Sequence, residues 1–408
     1  MGCPPQNFAC IPGGESHSSS KPRQILDLWA HVDPRFGGVG PAAASLATAI
    51  QSGSEWRSEM VAVCNRNEQE RHRDIPGDVQ MICEEGPRPL AEVRLIRPLK
   101  QAIRNSDVCH IHGVWLAHSV VGAHLARELQ KPLVWSTHGM LETWDLTNKR
   151  LKKRVYSWLF QRRALQGAGC LRALSEQEAS DYRSYGLKNP IAIVPNGVAP
   201  LDRVDPDACF QKYPFLNGKK IVLFLSRIHR KKGIFELLRA WPSVVAKHGD
   251  AHLLVAGADF ENDGDIARQI VQRLGTSGSV TFCGVLNGVP KLGALSASTL
   301  FCLPSHSEGM SIAVLEALSI GLPVVITKAC NVGGVGETGS GYLTAADPDE
   351  LAENICAGLS LTQAGWRSMS DSARLLARDR YTWPHLGDAM KSVYEWLLGG
   401  PRPACVMR

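Results

Sequence analysis

"TLFCLPSHSEGMSIAVLEALSIGLPVVIT", Thr299 to Thr327, decides the fold. Its two ends, "TLFCLPS" and "LPVVIT", are short apolar runs of strand length. Between them a polar loop, "HSEGM", opens an apolar stretch from about Ser311 to Ile320 that reads as a helix. Gly321 and Pro323 stop it. Strand, loop, helix and strand in so few residues make a parallel unit with the helix as its crossover. One residue resists the pattern. Glu316 stands in the middle of the apolar helix, and Glu308 stands just before it with seven residues between them. The reading buries Glu316, and a buried carboxylate without partners costs several kcal/mol. It needs donors, and the hydroxyls of a ribose would serve; a core salt bridge is the other way to satisfy it.

The same rhythm extends both ways. "IVLFLSRI", "HLLVAGAD" and "VTFCGV" are further strands, separated by the helices "GIFELLRAWPSVVAKH" and "DIARQIVQRLG". Upstream lies a second series. "QILDLWAHV", "EMVAVC", "VQMIC", "DVCHIHG", "PLVWSTHG", "GCLRALS" and "PIAIVPNGV" read as strands, with "AHSVVGAHLARELQ" among the helices. A Pro/Asp-rich linker near 199–218 divides the two. The expected fold class is α/β, with two doubly wound parallel sheets around one cleft. The expected organisation is a disordered tail at 1–22, a first domain at 23–198, a second at 199–380, and a last helix at 381–398. A length of 408 residues suits two cores better than one.

Composition narrows the class. The chain is 44% hydrophobic and 21% charged, as soluble globular proteins are, and a net charge of +6 is too mild to call for nucleic acid. Its 12 cysteines are scattered singly with no Cys-x-x-Cys pair, which argues against zinc and for reduced thiols in a cytoplasmic protein. The N-terminal stretch lacks the apolar core of a signal peptide, and no window approaches the ~20 apolar residues of a membrane span.

In such sheets, ligands sit beyond the carboxyl ends of strands, beside helix N-termini. At the opening stretch this points to Glu308, to Gly309, where a ligand could approach the backbone, and to the amides of Met310, Ser311 and Ile312. In "FLSRIHRKKGIFELL", Arg227 and Lys232 flank a strand-to-helix turn and would clamp a diphosphate. "FGGVGP" brings Gly38 to another turn, as an anion loop or merely a tight turn. "STHGM" puts His138 at a strand end, to meet a sugar hydroxyl or to serve structure alone. His110 and His112 in "CHIHGVW" suggest a metal, but no carboxylate is near in sequence and no metal site is expected. Asp-x-Asp triplets at Asp205, Asp263 and Asp347 read as turns and caps.

Together these marks resemble the retaining glycosyltransferases of family 4, also called group 1. The marks are the E-x7-E pair, "SRIHRKKG", "HGML", "VPNGV" and "GGVGP", and the resemblance spans about residues 23 to 398. "HGMLETWDLTNKRLKKRVYSWLFQRRAL" resembles the branch that assembles bacterial exopolysaccharide and lipopolysaccharide, although Thr143 stands where that branch often has proline. The resemblance implies a GT-B architecture and a hexose moved from a nucleotide diphosphate sugar to a glycan or lipid-linked acceptor. It implies no cofactor and no metal. Glu316 would bind the donor ribose, and Arg227 and Lys232 the diphosphate. Glu308 and residues Gly309 to Ile312 would hold sugar and phosphate. The turn Gly284 to Leu286 would face the base, His138 the donor sugar, and Gly38 the phosphate or acceptor. The last helix would cross back to the first domain. A nucleotide-sugar epimerase of the same architecture, or an inactive donor-binding subunit, is the alternative.

A basic stretch, 148–166, completes the reading. Lys149, Arg150, Lys152, Lys153, Arg154, Arg162 and Arg163 accompany an apolar face of Leu151, Val155, Trp158 and Leu159. Such a helix either docks on an anionic membrane, making the protein peripheral at the inner face of the cytoplasmic membrane, or packs by its stripe.

Overall fold

The computed structural model describes residues 21–30, 38–53, 55–65, 79–84, 90–142 and 160–408. Two sheets organise it. In the first, β1 (Arg23–Ala30), β2 (Trp56–Asn65), β3 (Val79–Glu84), β4 (Val108–His112), β5 (Leu133–Ser136), β6 (Cys170–Ala173) and β7 (Ile191–Ile193) are all parallel, in the order β7-β6-β5-β4-β1-β2-β3. In the second, β8 (Lys220–Leu225), β9 (Ala251–Ala256), β10 (Val280–Gly284), β11 (Leu300–Leu303), β12 (Val324–Thr327) and β13 (Gly341–Thr344) run parallel in the order β10-β9-β8-β11-β12-β13. Every residue of β4, β5, β9, β11 and β12 is buried, because helices cover both faces. That is why these strands read as continuous apolar runs rather than alternating ones.

The two sheets have separate cores. Leu223, Phe224, Leu254, Phe301 and Val325 lie in one, and Leu28, Ile111, Trp135 and Leu171 in the other. The backbone crossings lie side by side. Val198 N–H donates to Tyr381 O at 2.7 Å, and Val198 bridges Thr382. Beyond that crossing the helix Trp383–Leu397 packs on the first sheet. Its Leu386, Met390, Val393 and Tyr394 share a core with Ile25, Leu46, Ile50 and Trp56. The chain then adds β14 (Val406–Met407), antiparallel to β7, and covers that sheet edge.

Several elements were not expected. β13 is four residues led by a glycine, and β14 is two, both too short for a periodicity. The helices Pro348–Leu359 and Gln363–Arg380 start at caps that the sequence displays. Asp347 accepts from Asp349 N and Glu350 N, and Thr362 accepts from Gly365 N. Of the three acidic triplets, Asp347 caps a helix and Asp205 accepts Asp207 N–H in a turn. Asp263 does neither. It is fully buried and accepts Arg230 N at 2.8 Å and Arg230 Nη2 at 2.8 Å.

Of the basic stretch, Arg162–Gln166 is helical with Leu165 buried; 148–159 lies outside the described residues, as does the 1–20 part of the tail. No helix among the described residues is long and apolar enough to cross a membrane.

Candidate active site

The loop after β8 is built to present two cations. A 3-10 turn, Arg230–Lys232, ends on Gly233 at φ +70°. A Cβ on Gly233 would stand 1.9 Å from Pro304 O, so glycine alone lets this turn lie against the end of β11. Arg230 is tied down by Asp263, and His229 Nε2 meets Glu261 Oε2 at 3.2 Å. Arg227 is exposed and Lys232 is buried, and both line one cavity.

Lys232 Nζ lies 2.6 Å from Glu308 Oε2, with side chains only 9% and 11% exposed. Asn331 fixes the Glu308 loop by donating to Glu308 O at 2.5 Å and to Gly309 O at 3.2 Å. Ser311 caps the helix Ile312–Ser319 by accepting Val314 N–H. Two expectations change here. The Ser311 amide is not offered to a ligand, since it donates to Cys330 O at 3.1 Å. Gly309 is approached closely by the other domain: a Cβ there would lie 2.6 Å from His138 O, and one on Gly139 would lie 2.4 Å from Gly309 Cα. Beside this seam the Ser307 hydroxyl donates to the buried carboxylate of Glu142. Met310 is buried in the second core.

Glu316 also departs from expectation. It is not hidden in the apolar helix. It is partly exposed on the cleft, and Lys291 Nζ, from the helix Gly288–Ala297, meets its Oε1 at 2.7 Å. The two side chains remain 28% and 18% exposed, so solvent or a ligand can compete for the pair.

The cavity has a volume of about 570 Å³. The second domain contributes Arg227, Lys232, Lys291, Ile312 and Glu316; the first contributes Gly38, Pro41 and Ser45. A Cβ on Gly38 would come 3.9 Å from Ile312 Cγ1, so the two domains meet across it. Three cations and one carboxylate line the space, a field suited to a doubly charged anion carrying hydroxyl groups. At the turn after β10 the side chain on the cavity is Val285, 57% exposed. Gly284 holds φ +72°, and the Leu286 side chain is buried in the core rather than offered to a base.

His138 sits in the left-handed region at φ +55°. The next residue pins it there, for Gly139 N–H donates to Glu178 at 2.6 Å. Glu178 is fully buried and also accepts Thr137 Oγ1 at 2.8 Å and Leu174 N at 2.7 Å. Burial pushes its carboxyl above the ordinary range, against the pull of those donors.

Behind His138 stands a buried polar chain. His112 Nδ1 is 3.1 Å from His138 Nε2, and His112 Nε2 is 3.1 Å from Asp27 Oδ1. Here β1 supplies the carboxylate that the sequence neighbourhood of His110 and His112 lacks, because Asp27 registers with His110 across the sheet. The three side chains could surround an ion. Their ring nitrogens are instead engaged: His110 with Tyr394 OH and Ser136 Oγ, each at 2.7 Å, and His112 as above. They form a hydrogen-bonded network. A charged residue inside "QILDLWAHV" was the sequence signal for Asp27; nothing in "GVPKLG" marked Lys291.

Comparison with known proteins agrees with this arrangement. Residues 37–197 match the family model described as glycosyl transferase 4-like domain, and residues 219–360 match the one described as glycosyl transferases group 1. A GDP-mannose:cellobiosyl-diphosphopolyprenol alpha-mannosyltransferase from Xanthomonas oryzae is 24% identical over 405 residues, covering 93% of this chain and 98% of that protein. A phosphatidyl-myo-inositol mannosyltransferase from Mycobacterium tuberculosis is 31% identical over 227 residues, 54% of this chain and 58% of its own. The crystal structure of Anabaena HepE in complex with UDP and glucose superposes with a TM-score of 0.71 at 19% identity, covering 92% of this chain and all of that one. The two-domain architecture is GT-B.

Proposed function

Because the chain belongs to the group 1 glycosyl transferases, we propose that it transfers a hexose from a nucleotide diphosphate sugar to a hydroxyl of a glycan or lipid-linked acceptor, with retention of anomeric configuration, in cell-surface polysaccharide synthesis. The observation that carries this reading is the cavity between the domains, where Arg227, Lys232 and Lys291 face Glu316.

Each group has a chemical task. Glu316 accepts from the ribose hydroxyls, which compete with Lys291 for its oxygens. Arg227 and Lys232 bind the diphosphate, and Glu308 holds Lys232 in place. The bond from the anomeric carbon to the diphosphate oxygen breaks, and its electron pair leaves with the phosphate. The two cations stabilise that charge in a partly dehydrated site, without a metal or cofactor. The acceptor oxygen bonds the anomeric carbon on the same face, and its proton passes to the departing phosphate oxygen. His138 lies on the first-domain side of the seam, against the donor sugar; Gly38 leaves room for the phosphate or the acceptor.

The relatives that act on polyprenol- and inositol-linked acceptors support a lipid-linked acceptor. A cytoplasmic enzyme whose basic stretch, 148–166, rests on an anionic inner membrane face would reach one. Incubating the protein with GDP-mannose or UDP-glucose and a polyprenyl-diphosphate sugar, with and without chelator, tests the reading. A glycosylated lipid whose new linkage keeps the donor's anomeric configuration, formed in both conditions, is expected. Interconversion of the donor sugar without acceptor would replace transfer by epimerisation.

A further inference from the structure

We propose that Asp27 and His112 are positioning residues that fix which ring nitrogen of His138 carries its proton. The proposal rests on the reading that puts His138 against the donor sugar.

It starts from an acid in a costly place. Asp27 is fully buried in the middle of β1, in a sheet covered on both faces, where a carboxylate must find donors. It finds two. Ser58 Oγ donates to Oδ2 at 2.5 Å, and His112 Nε2 stands 3.1 Å from Oδ1. A carboxylate only accepts, so His112 bears its proton on Nε2. Burial holds His112 below the ordinary imidazole range, against the pull of Asp27, and holds His138 well below it. Both rings are therefore neutral at pH 7, each with one donor and one acceptor nitrogen. His112 Nδ1 is then an acceptor, and His138 Nε2, 3.1 Å away, is its donor. The direction runs one way from Asp27 and ends with His138 Nδ1 bare.

The surroundings do not reverse it. His110, stacked 4.0 Å from His112, is held by Tyr394 and Ser136. Among the described residues the nearby cation is Arg172, fully buried; it donates to Val194 O at 2.9 Å and to Pro195 O at 2.6 Å. The backbone of His138 is fixed through Gly139 and Glu178. A bare Nδ1 accepts a hydrogen bond from a sugar hydroxyl and cannot donate one. The chain thus makes His138 an acceptor for a hydroxyl of the donor or acceptor sugar, before either arrives.

The test is long-range proton–nitrogen NMR on the full-length protein with labelled histidine. The expected spectrum has His112 and His138 both protonated on Nε2. His138 protonated on Nδ1 in the wild type overturns the proposal. His112→Leu should scramble the His138 tautomer and lower kcat by tenfold or more, with KM for the donor within threefold. His112→Gln, whose amide can donate to Asp27 and accept from His138, should recover at least half of that loss on a logarithmic scale. If His112→Leu keeps the wild-type kcat, the positioning role is overturned, and if that variant does not fold the wild-type spectrum still decides. His138→Ala separates the two readings. Full transfer by that variant removes His138 from the donor site whatever the spectra show. Lost transfer together with the wrong wild-type tautomer overturns the chain from Asp27 alone.

Discussion

Lys232 and Glu308 meet at 2.6 Å with almost no exposure, so the residue assigned to the donor diphosphate is also one half of a buried ion pair. Removing either partner strands the other charge, at a cost of about 3–5 kcal/mol. Lys232→Met should therefore lose both transfer and stability. Lys232→Met with Glu308→Gln should regain most of the stability and none of the activity. Thermal melting beside a transfer assay checks this; a double variant as unstable as the single one would mean the pair is not what holds the loop.

The pair between Glu316 and Lys291 behaves differently because it is open to the cleft. Exposed pairs contribute about 0–1 kcal/mol, so Glu316→Gln should melt within a few degrees of the wild type. Its effect belongs to the donor. We expect the nucleotide Kd to rise about tenfold, as loss of a hydrogen bond to a charged group implies. Calorimetry with a nucleotide lacking both ribose hydroxyls should show that difference vanish. A penalty of equal size with both nucleotides would mean that Glu316 does not contact the ribose.

Gly309 and Gly139 hold the domains together by having no side chains. Gly309→Ala places a methyl group 2.6 Å from His138 O without entering a strained backbone region, so it reports the contact alone. Gly139, at φ +77°, would add backbone strain. The expected result for Gly309→Ala is a wider domain separation in small-angle scattering and a fall in kcat of tenfold or more. Unchanged scattering and unchanged rate would show that the seam yields at no cost.

Much of this was legible in the sequence. Both parallel sheets could be read from apolar runs bounded by Gly and Pro, since a strand buried on both faces leaves that mark. Arg227, Lys232 and Gly38 could be placed at strand ends and Glu316 in the helix that follows one, and they line one cavity. What was not legible depends on neighbours distant in sequence. Whether Glu316 is buried is decided by how the helix Gly288–Ala297 leans, and its partner Lys291 looks like any surface lysine. The role of Asp27 is decided by the pairing of β1 with β4, which sequence distance conceals. The purpose of Gly309 depends on a loop in the other domain. Local pattern specifies elements and their ends; the partners of charged groups arise only when the elements pack.

The buried histidines predict how stability responds to acid. Burial lowers the imidazole pKa of His110, His112 and His138, and that of His252 to about 4. In the unfolded chain each titrates near 6.5. Between that value and its folded pKa the unfolded state binds more protons, so stability falls as pH drops through this window and is level above it. Each histidine contributes a slope of about 1.4 kcal/mol per pH unit there. Glu178 has the opposite sign, because its raised pKa favours the folded state at low pH and that contribution is lost as pH rises. Asp181, raised by partial burial, acts in the same sense as Glu178. Three buried imidazoles and His252 outweigh the two carboxyls, so the melting temperature should drop steeply from pH 6.5 to pH 4. His252 lies in the second domain, bonded to Thr281 Oγ1 at 2.9 Å and apart from the cavity lining. His252→Gln should flatten the slope while the transfer rate at pH 7.5 stays at the wild-type level. A melting profile as steep in that variant as in the wild type would show that His252 is charged in the folded protein.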